Sequence, residues 1–139
     1  MKILFMCVAN SARSQLAEGL AKNLFGPTFE IQSAGSQPSK LNPLAVEVMK
    51  ELDIDISKQY SKSFDEISPK FVVSIDYVIT LCAEEVCPVI STKAKKLHWP
   101  FPDPAGHESL SHEEQLARFR SARDAIKNKL AAFKVELQR

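Results

Sequence analysis

The chain has 139 residues, with 18 Lys and Arg against 17 Asp and Glu, a formal net charge of +1. That length suits a single domain over residues 1–139 with a real core, and a hydrophobic content of 45% is ordinary globular usage. The balanced charge excludes a whole-molecule field for nucleic acid or an anionic membrane surface, so neither is expected as a partner and any anionic ligand must be held by local geometry.

The elements alternate. Lys2 to Met6 is a short apolar run and reads as a buried first strand; it is too short for a leader peptide, and polar Asn10-Ser11-Ala12-Arg13 follows at once. Ser14 to Phe25 repeats apolar residues at Leu16, Ala17, Leu20, Ala21 and Leu24, which predicts a helix stopped by Gly26-Pro27. Thr28 to Gln32 reads as a second strand ended by Ser33-Ala34-Gly35. Asn42-Pro43 is a helix-start signal, with Leu44 to Leu52 continuing the helix. Asp53 to Lys70 is polar, with a short helix expected around Phe64 to Ile67. Tyr77 to Cys82 is apolar without alternation, as in a buried parallel strand, and Lys95 to Trp99 is a shorter last strand. Pro100, Pro102 and Pro104 then force an irregular path. Ser111-x-x-Glu114 is a capping-box pattern opening a long C-terminal helix. Strands alternating with helices predict an α/β fold whose parallel sheet is covered on both faces.

Three cysteines, an odd number with no leader peptide, argue against a secreted disulfide framework and for a cytoplasmic setting. No metal or cofactor is expected. Cys82-x4-Cys87 lacks a second ligand pair, and His98, His107 and His112 are scattered.

The segment Cys7-Val8-Ala9-Asn10-Ser11-Ala12-Arg13-Ser14 joins the first strand to the first helix. In an open parallel sheet this is a carboxyl-end position, where ligands bind. Its N–H groups and the helix start favour an anion. Arg13 can pair two oxygens of a tetrahedral oxyanion. Helix N-termini and cations lower a cysteine from ~8.5 to roughly 3.5–7.5, so Cys7 is expected to be a thiolate nucleophile, with Ser14 hydrogen-bonded to it and Asn10 bracing the loop. The alternative is a buried core thiol at Cys7 and a surface Arg13; placement between strand and helix favours the oxyanion loop.

Cys7-x5-Arg13-Ser14 followed by Gln15-Leu16-Ala17-Glu18-Gly19 resembles the low-molecular-weight protein tyrosine phosphatase superfamily, and within it the thioredoxin-coupled arsenate reductases. Ser33-Ala34-Gly35, Asn42-Pro43, Asp53-Ile54-Asp55-Ile56-Ser57 and Asp103-Pro104-Ala105-Gly106 extend the resemblance over most of the chain. It implies a four-stranded parallel sheet with helices on both sides. It also implies that Asp103 is a general acid, whereas the local sequence by itself favours an ordinary turn Asp. Where related phosphatases carry aromatic residues after this Asp-Pro, Ala105-Gly106 stand here and leave no wall for a phosphotyrosine ring.

Cys82 and Cys87 could be structural thiols. The resemblance implies instead a relay: Cys7 attacks arsenate, Cys82 attacks Cys7, and Cys87 attacks Cys82, leaving a Cys82–Cys87 disulfide for thioredoxin to reduce. Mycothiol or glutathione is the other class of electron donor; three cysteines in this order favour thioredoxin, and a monomer is expected. A low-molecular-weight phosphatase and a non-enzymatic oxyanion sensor are the alternatives.

One departure concerns potassium, which some relatives bind through Asn, Glu, Ser and Asp oxygens. Asn10, Glu18 and Ser33 match, but Lys62 stands at the Asp position. A lysine there is itself a cation and is expected to replace the ion, pairing with Glu18 or Asn10. Equal activity in sodium and potassium buffers follows from this; clear potassium activation would contradict it.

Overall fold

A computed structural model describes residues 1–83 and 93–138. Four strands, β1 (Lys2–Cys7), β2 (Glu30–Gly35), β3 (Tyr77–Thr80) and β4 (Lys95–His98), form one sheet in the order β2-β1-β3-β4. All three strand pairs are parallel. Between and after them lie helices α1 (Arg13–Phe25), α2 (Pro43–Lys50), α3 (Pro69–Val73) and α4 (His112–Leu137), with a 3-10 turn at Phe64–Glu66.

Strand periodicity separates the two faces. Ile3 and Phe5 of β1 point into one core with Leu16 and Leu20 of α1, Met49 of α2, and Phe119, Ile126 and Leu130 of α4. Leu4 and Met6 point the other way, into a smaller core with Ile67, Phe71 and Ile75. The expected sheet covered on both faces is therefore what forms, with three helices on one side and the short α3 on the other.

The predicted caps hold. Asn42 Oδ1 accepts from Leu44 N at 2.9 Å, with Pro43 opening α2. Ser111 Oγ accepts from Glu114 N at 3.2 Å while Ser111 N donates back to Glu114 Oε1 at 3.4 Å. Three boundaries differ from expectation. β2 runs from Glu30 to Gly35 rather than Thr28 to Gln32, because Gly26 at φ 77° turns the chain out of α1 and the ladder pairs Phe5, Met6 and Cys7 with Ser33, Ala34 and Gly35. Small residues with weak strand preference are recruited by the register, not by propensity. β3 ends at Thr80, so Cys82 lies two residues beyond it, 1% exposed. α3 was not anticipated; Ser68-Pro69, with Pro at its first position, was the available signal.

Glu51 ties α2 to α4. Its carboxylate accepts from Arg120 Nε and Nη2 and from Arg123 Nη1, at 2.7–3.0 Å. Hydrogen bonds from Arg120, then from Arg123, lower its pKa from 4.5 to about 2. A carboxylate with a depressed folded pKa stabilises the fold above its unfolded pKa and loses that contribution as pH falls through the folded one. Wild type should therefore melt above Glu51→Gln at pH 6, and the gap should close between about pH 4.5 and pH 2. A gap independent of pH in thermal melts would contradict this assignment.

Candidate active site

The chain leaves β1 at Cys7 and enters α1 at Arg13, and the five residues between them form a loop at the carboxyl edge of the sheet. Its carbonyls are turned outward. Val8 O accepts from Gln37 N at 2.9 Å, Ala9 O from Ser39 N at 3.0 Å, and Ser11 O from Asn42 N at 2.9 Å. Ser61 Oγ also donates to Ala9 O at 2.9 Å. In a planar trans peptide the next N–H points opposite to the carbonyl. The N–H groups of Ala9, Asn10 and Ala12 are thus turned to the inside of the loop. Among the described residues, none of the N–H groups of residues 8 to 12 donates to a main-chain carbonyl. Inward, unengaged N–H groups at a helix start are the arrangement that holds a tetrahedral anion.

Cys7, a free thiol 2% exposed, sits at the base of this loop with its Sγ 2.9 Å from Ser14 Oγ. The Ser14 hydroxyl is itself held by its neighbours. Lys62 N, which can only donate, points to Asn10 Oδ1 at 3.0 Å. Asn10 Nδ2 must then face Ser14 Oγ, to which it donates at 2.7 Å. A Cys7 thiolate has no hydrogen of its own, so in that form the Ser14 hydroxyl is the donor and stabilises the charge. Asn10 adopts φ 50°, a left-handed conformation that Asn tolerates better than most residues.

Arg13 is 4% exposed. Its Nη1 donates to Phe101 O at 2.9 Å and to Leu81 O at 3.4 Å, which anchors it to the segments leaving β3 and β4. Its Nη2 lies 3.7 Å from Asp103 Oδ2. Asp103 Oδ1 accepts from Ala105 N at 3.0 Å, as a turn Asp does, while Oδ2 faces Arg13 and the side chain stays half-exposed. Leu81, whose carbonyl accepts from Arg13, directly precedes Cys82 in the chain. Cys82 is buried and disulfide-bonded. Cys87 lies outside the described residues.

Lys62 is 6% exposed. Burial pushes its ammonium below the ordinary lysine range, Glu18 opposes that shift, and Lys22 adds to it. The expected pairing takes a different form. Lys62 meets Asn10 through its main-chain N–H, and its ammonium lies over the Tyr60 ring, 4.9 Å from the centroid. Glu18 is instead held by Ser33 Oγ and Lys22 Nζ, each at 2.6 Å. Lys22 is one helical turn on from Glu18, so the local i,i+4 partner wins.

Sequence reasoning missed Gly35 as a site residue. A Cβ there would stand 2.4 Å from Val8 O and 3.0 Å from Cys7 O and Asn10 N. Its available signal was a glycine closing the second strand segment, a place where another backbone can approach closely.

Comparison with known proteins agrees with this geometry. A family model for low molecular weight phosphotyrosine protein phosphatases matches residues 2–139. The chain is 44% identical to an arsenate reductase of Bacillus subtilis (strain 168) over 133 residues, 94% of this chain and 93% of that one. A solved arsenate reductase in a phosphate-binding state superposes with a TM-score of 0.76 at 30% identity, covering 97% of each chain. A thioredoxin-dependent arsenate reductase of Corynebacterium glutamicum superposes with a TM-score of 0.61 at 30% identity, covering 92% of this chain and 62% of that one. The loop from Cys7 to Arg13, the sheet that carries it and this likeness over nearly the whole chain make the protein a member of the low molecular weight phosphotyrosine protein phosphatase family.

Proposed function

We propose that the protein is an arsenate reductase working through a three-thiol relay. The observation that carries this reading is an oxyanion loop based on Cys7 in a chain whose second cysteine, Cys82, directly follows Leu81, the residue whose carbonyl accepts from Arg13. The likeness to arsenate reductases over most of the chain supports the substrate.

Arsenate binds to the N–H groups of residues 8 to 12 and to Arg13. The Cys7 thiolate attacks As(V), and an arsenate oxygen leaves as water after taking a proton from Asp103. The Cys82 thiolate then attacks Cys7 Sγ. The sulfur–arsenic bond breaks, its electron pair stays on arsenic, and As(III) leaves as arsenite while Cys7–Cys82 forms. Cys87 attacks Cys82, and Cys7 departs as the thiolate that Ser14 stabilises. The Cys82–Cys87 disulfide is returned to two thiols by an external dithiol, which becomes a disulfide in turn. A free Cys7 together with a disulfide-bonded Cys82 fits the pattern that the last internal step leaves.

Thioredoxin is the donor this order of thiols favours, and the thioredoxin-dependent relative supports it. The test is arsenate-dependent NADPH oxidation with thioredoxin and its reductase, set against glutathione with glutaredoxin and glutathione reductase. Turnover only with thioredoxin is expected. Turnover only with glutathione would remove the need for the third thiol and overturn the relay.

A further inference from the structure

We infer that Gln15 is a positioning residue for Cys7, the centre of a hydrogen-bond chain running from Gln59 through Gln15, Asn10 and Ser14. The inference rests on Cys7 as the nucleophile, although its test needs no arsenate. Gln15 is fully buried, and its Nε2 faces three oxygens: Asn10 O at 2.9 Å, Asn10 Oδ1 at 3.1 Å and Tyr60 O at 3.1 Å. Only an NH2 group can sit there, since an amide oxygen turned to the same place would meet three acceptors. The opposite end of the amide is fixed as well. Gln59 Nε2 donates to Gln15 Oε1 at 2.8 Å and to Gln15 O at 3.2 Å.

The chain has one direction throughout. Gln59 donates to Gln15, Gln15 to Asn10, Asn10 to Ser14, and Ser14 to the Cys7 thiolate, which can only accept. Gln15 holds Asn10 by both its side-chain and its main-chain oxygen, at the residue with φ 50°. A left-handed non-glycine conformation persists where its surroundings over-determine it. Without Gln15, Asn10 Oδ1 keeps only the Lys62 N–H, the amide gains freedom to turn, and the Ser14 hydroxyl is no longer held in place. A buried amide with unmet hydrogen bonds is costly, so this arrangement does more than fill space.

The test is the pH dependence of Cys7 carboxamidomethylation by iodoacetamide on the reduced full-length protein, read by mass spectrometry of the Cys7 peptide. Gln15→Met keeps length and apolar bulk but removes both ends of the amide. The pH of half-maximal alkylation should rise by about one unit, the scale of one hydrogen bond to a charged acceptor. Gln59→Met, at the half-buried outer end, should raise it by a smaller amount and covers the case in which Gln15→Met fails to fold. Arg13 and Asp103, the charged groups of the site, and Lys62 beside Asn10 are kept in both variants. In an Asn10→Ala background the Gln15→Met shift should vanish, because the effect passes through Asn10. Unchanged midpoints in folded Gln15→Met or Gln59→Met, or a shift that persists in full without Asn10, would overturn the inference. No arsenate turnover by the wild type, with the midpoint shifts present in the variants, would count against the proposed reaction alone, and so the two failures are distinguishable.

Discussion

Cys82→Ser is expected to abolish multiple turnover of arsenate while sparing hydrolysis of an aryl phosphate. The reason lies in where the two reactions diverge. In the proposed reaction, attack by Cys7, anion binding by the loop and Arg13, and proton donation from Asp103 would serve arsenate and phosphate esters alike. A phosphoryl–cysteine adduct is resolved by water. A thiol–arsenic adduct is resolved reductively only if a second thiolate attacks Cys7 sulfur, and a serine hydroxyl has neither the acidity nor the two-electron redox chemistry to replace it. The loss should be on the order of 10³-fold or more, as when other nucleophiles acting within a linked unit are removed. The substitution is close to isosteric at a buried position, so the fold should survive. The measurement is arsenite released per protein under reductant, alongside p-nitrophenyl phosphate hydrolysis. Continued arsenate turnover would reject the relay. Equal loss of both activities would mean that Cys82 supports the site structurally. The non-enzymatic sensor reading is separated in the same assay, since wild type releasing more than one arsenite per chain excludes it.

Gly35→Ala should lower both activities by about 10²-fold, the cost associated with misplacing catalytic groups by about 1 Å. The added methyl would stand 2.4 Å from Val8 O and 3.0 Å from Asn10 N, both main-chain atoms that no rotamer change can move aside. Either the loop shifts away from β2 or the β1–β2 ladder opens at Cys7↔Gly35. The first displaces the N–H groups from the anion. The second releases Gly35 N from Lys62 O, and with it the segment that holds Asn10. Stability should fall by about 1–3 kcal/mol, as for other overpacked sites. Activity with p-nitrophenyl phosphate and a thermal melt measure the two effects. A variant as active as wild type would show that the loop relaxes around the methyl without cost. Gly19→Ala is the useful comparison. Its Cβ would meet Ile56 Cγ2 at 2.5 Å and Met49 Cε at 3.0 Å, buried core side chains rather than the loop's main chain, so it should affect stability more than activity.

The element order, the two helix caps and the anion loop were legible in the sequence because each rests on local chemistry. Asn42-Pro43 and Ser111-x-x-Glu114 satisfy main-chain donors within a few residues of themselves. An apolar strand running into Cys7-x5-Arg13 and then a helical repeat places its own ligand site, since a strand end and a helix start meet there whatever the rest of the chain does. The true extent of β2 was not legible. Ser33-Ala34-Gly35 has the composition of a turn, and only pairing with Phe5, Met6 and Cys7 makes it a strand. The partner of Lys62 was misread for a related reason. A motif position tells which residue stands near Glu18, but the choice between Lys62, Lys22 and Ser33 is made by reach and by competition in three dimensions.

The sequence by itself determined the chemistry on offer: a thiol, a guanidinium and a carboxylic acid in segments that an alternating α/β fold brings to one edge. Tertiary structure alone decided direction and proximity. The Lys62 N–H, 52 residues away in the chain, orients Asn10 and so turns its amide onto the Ser14 hydroxyl that faces Cys7. The Leu81 and Phe101 carbonyls hold Arg13 against Asp103. Gly35 sets how closely the loop may approach the sheet. Contacts between residues far apart in the chain depend on how the sheet closes, and no local pattern encodes them.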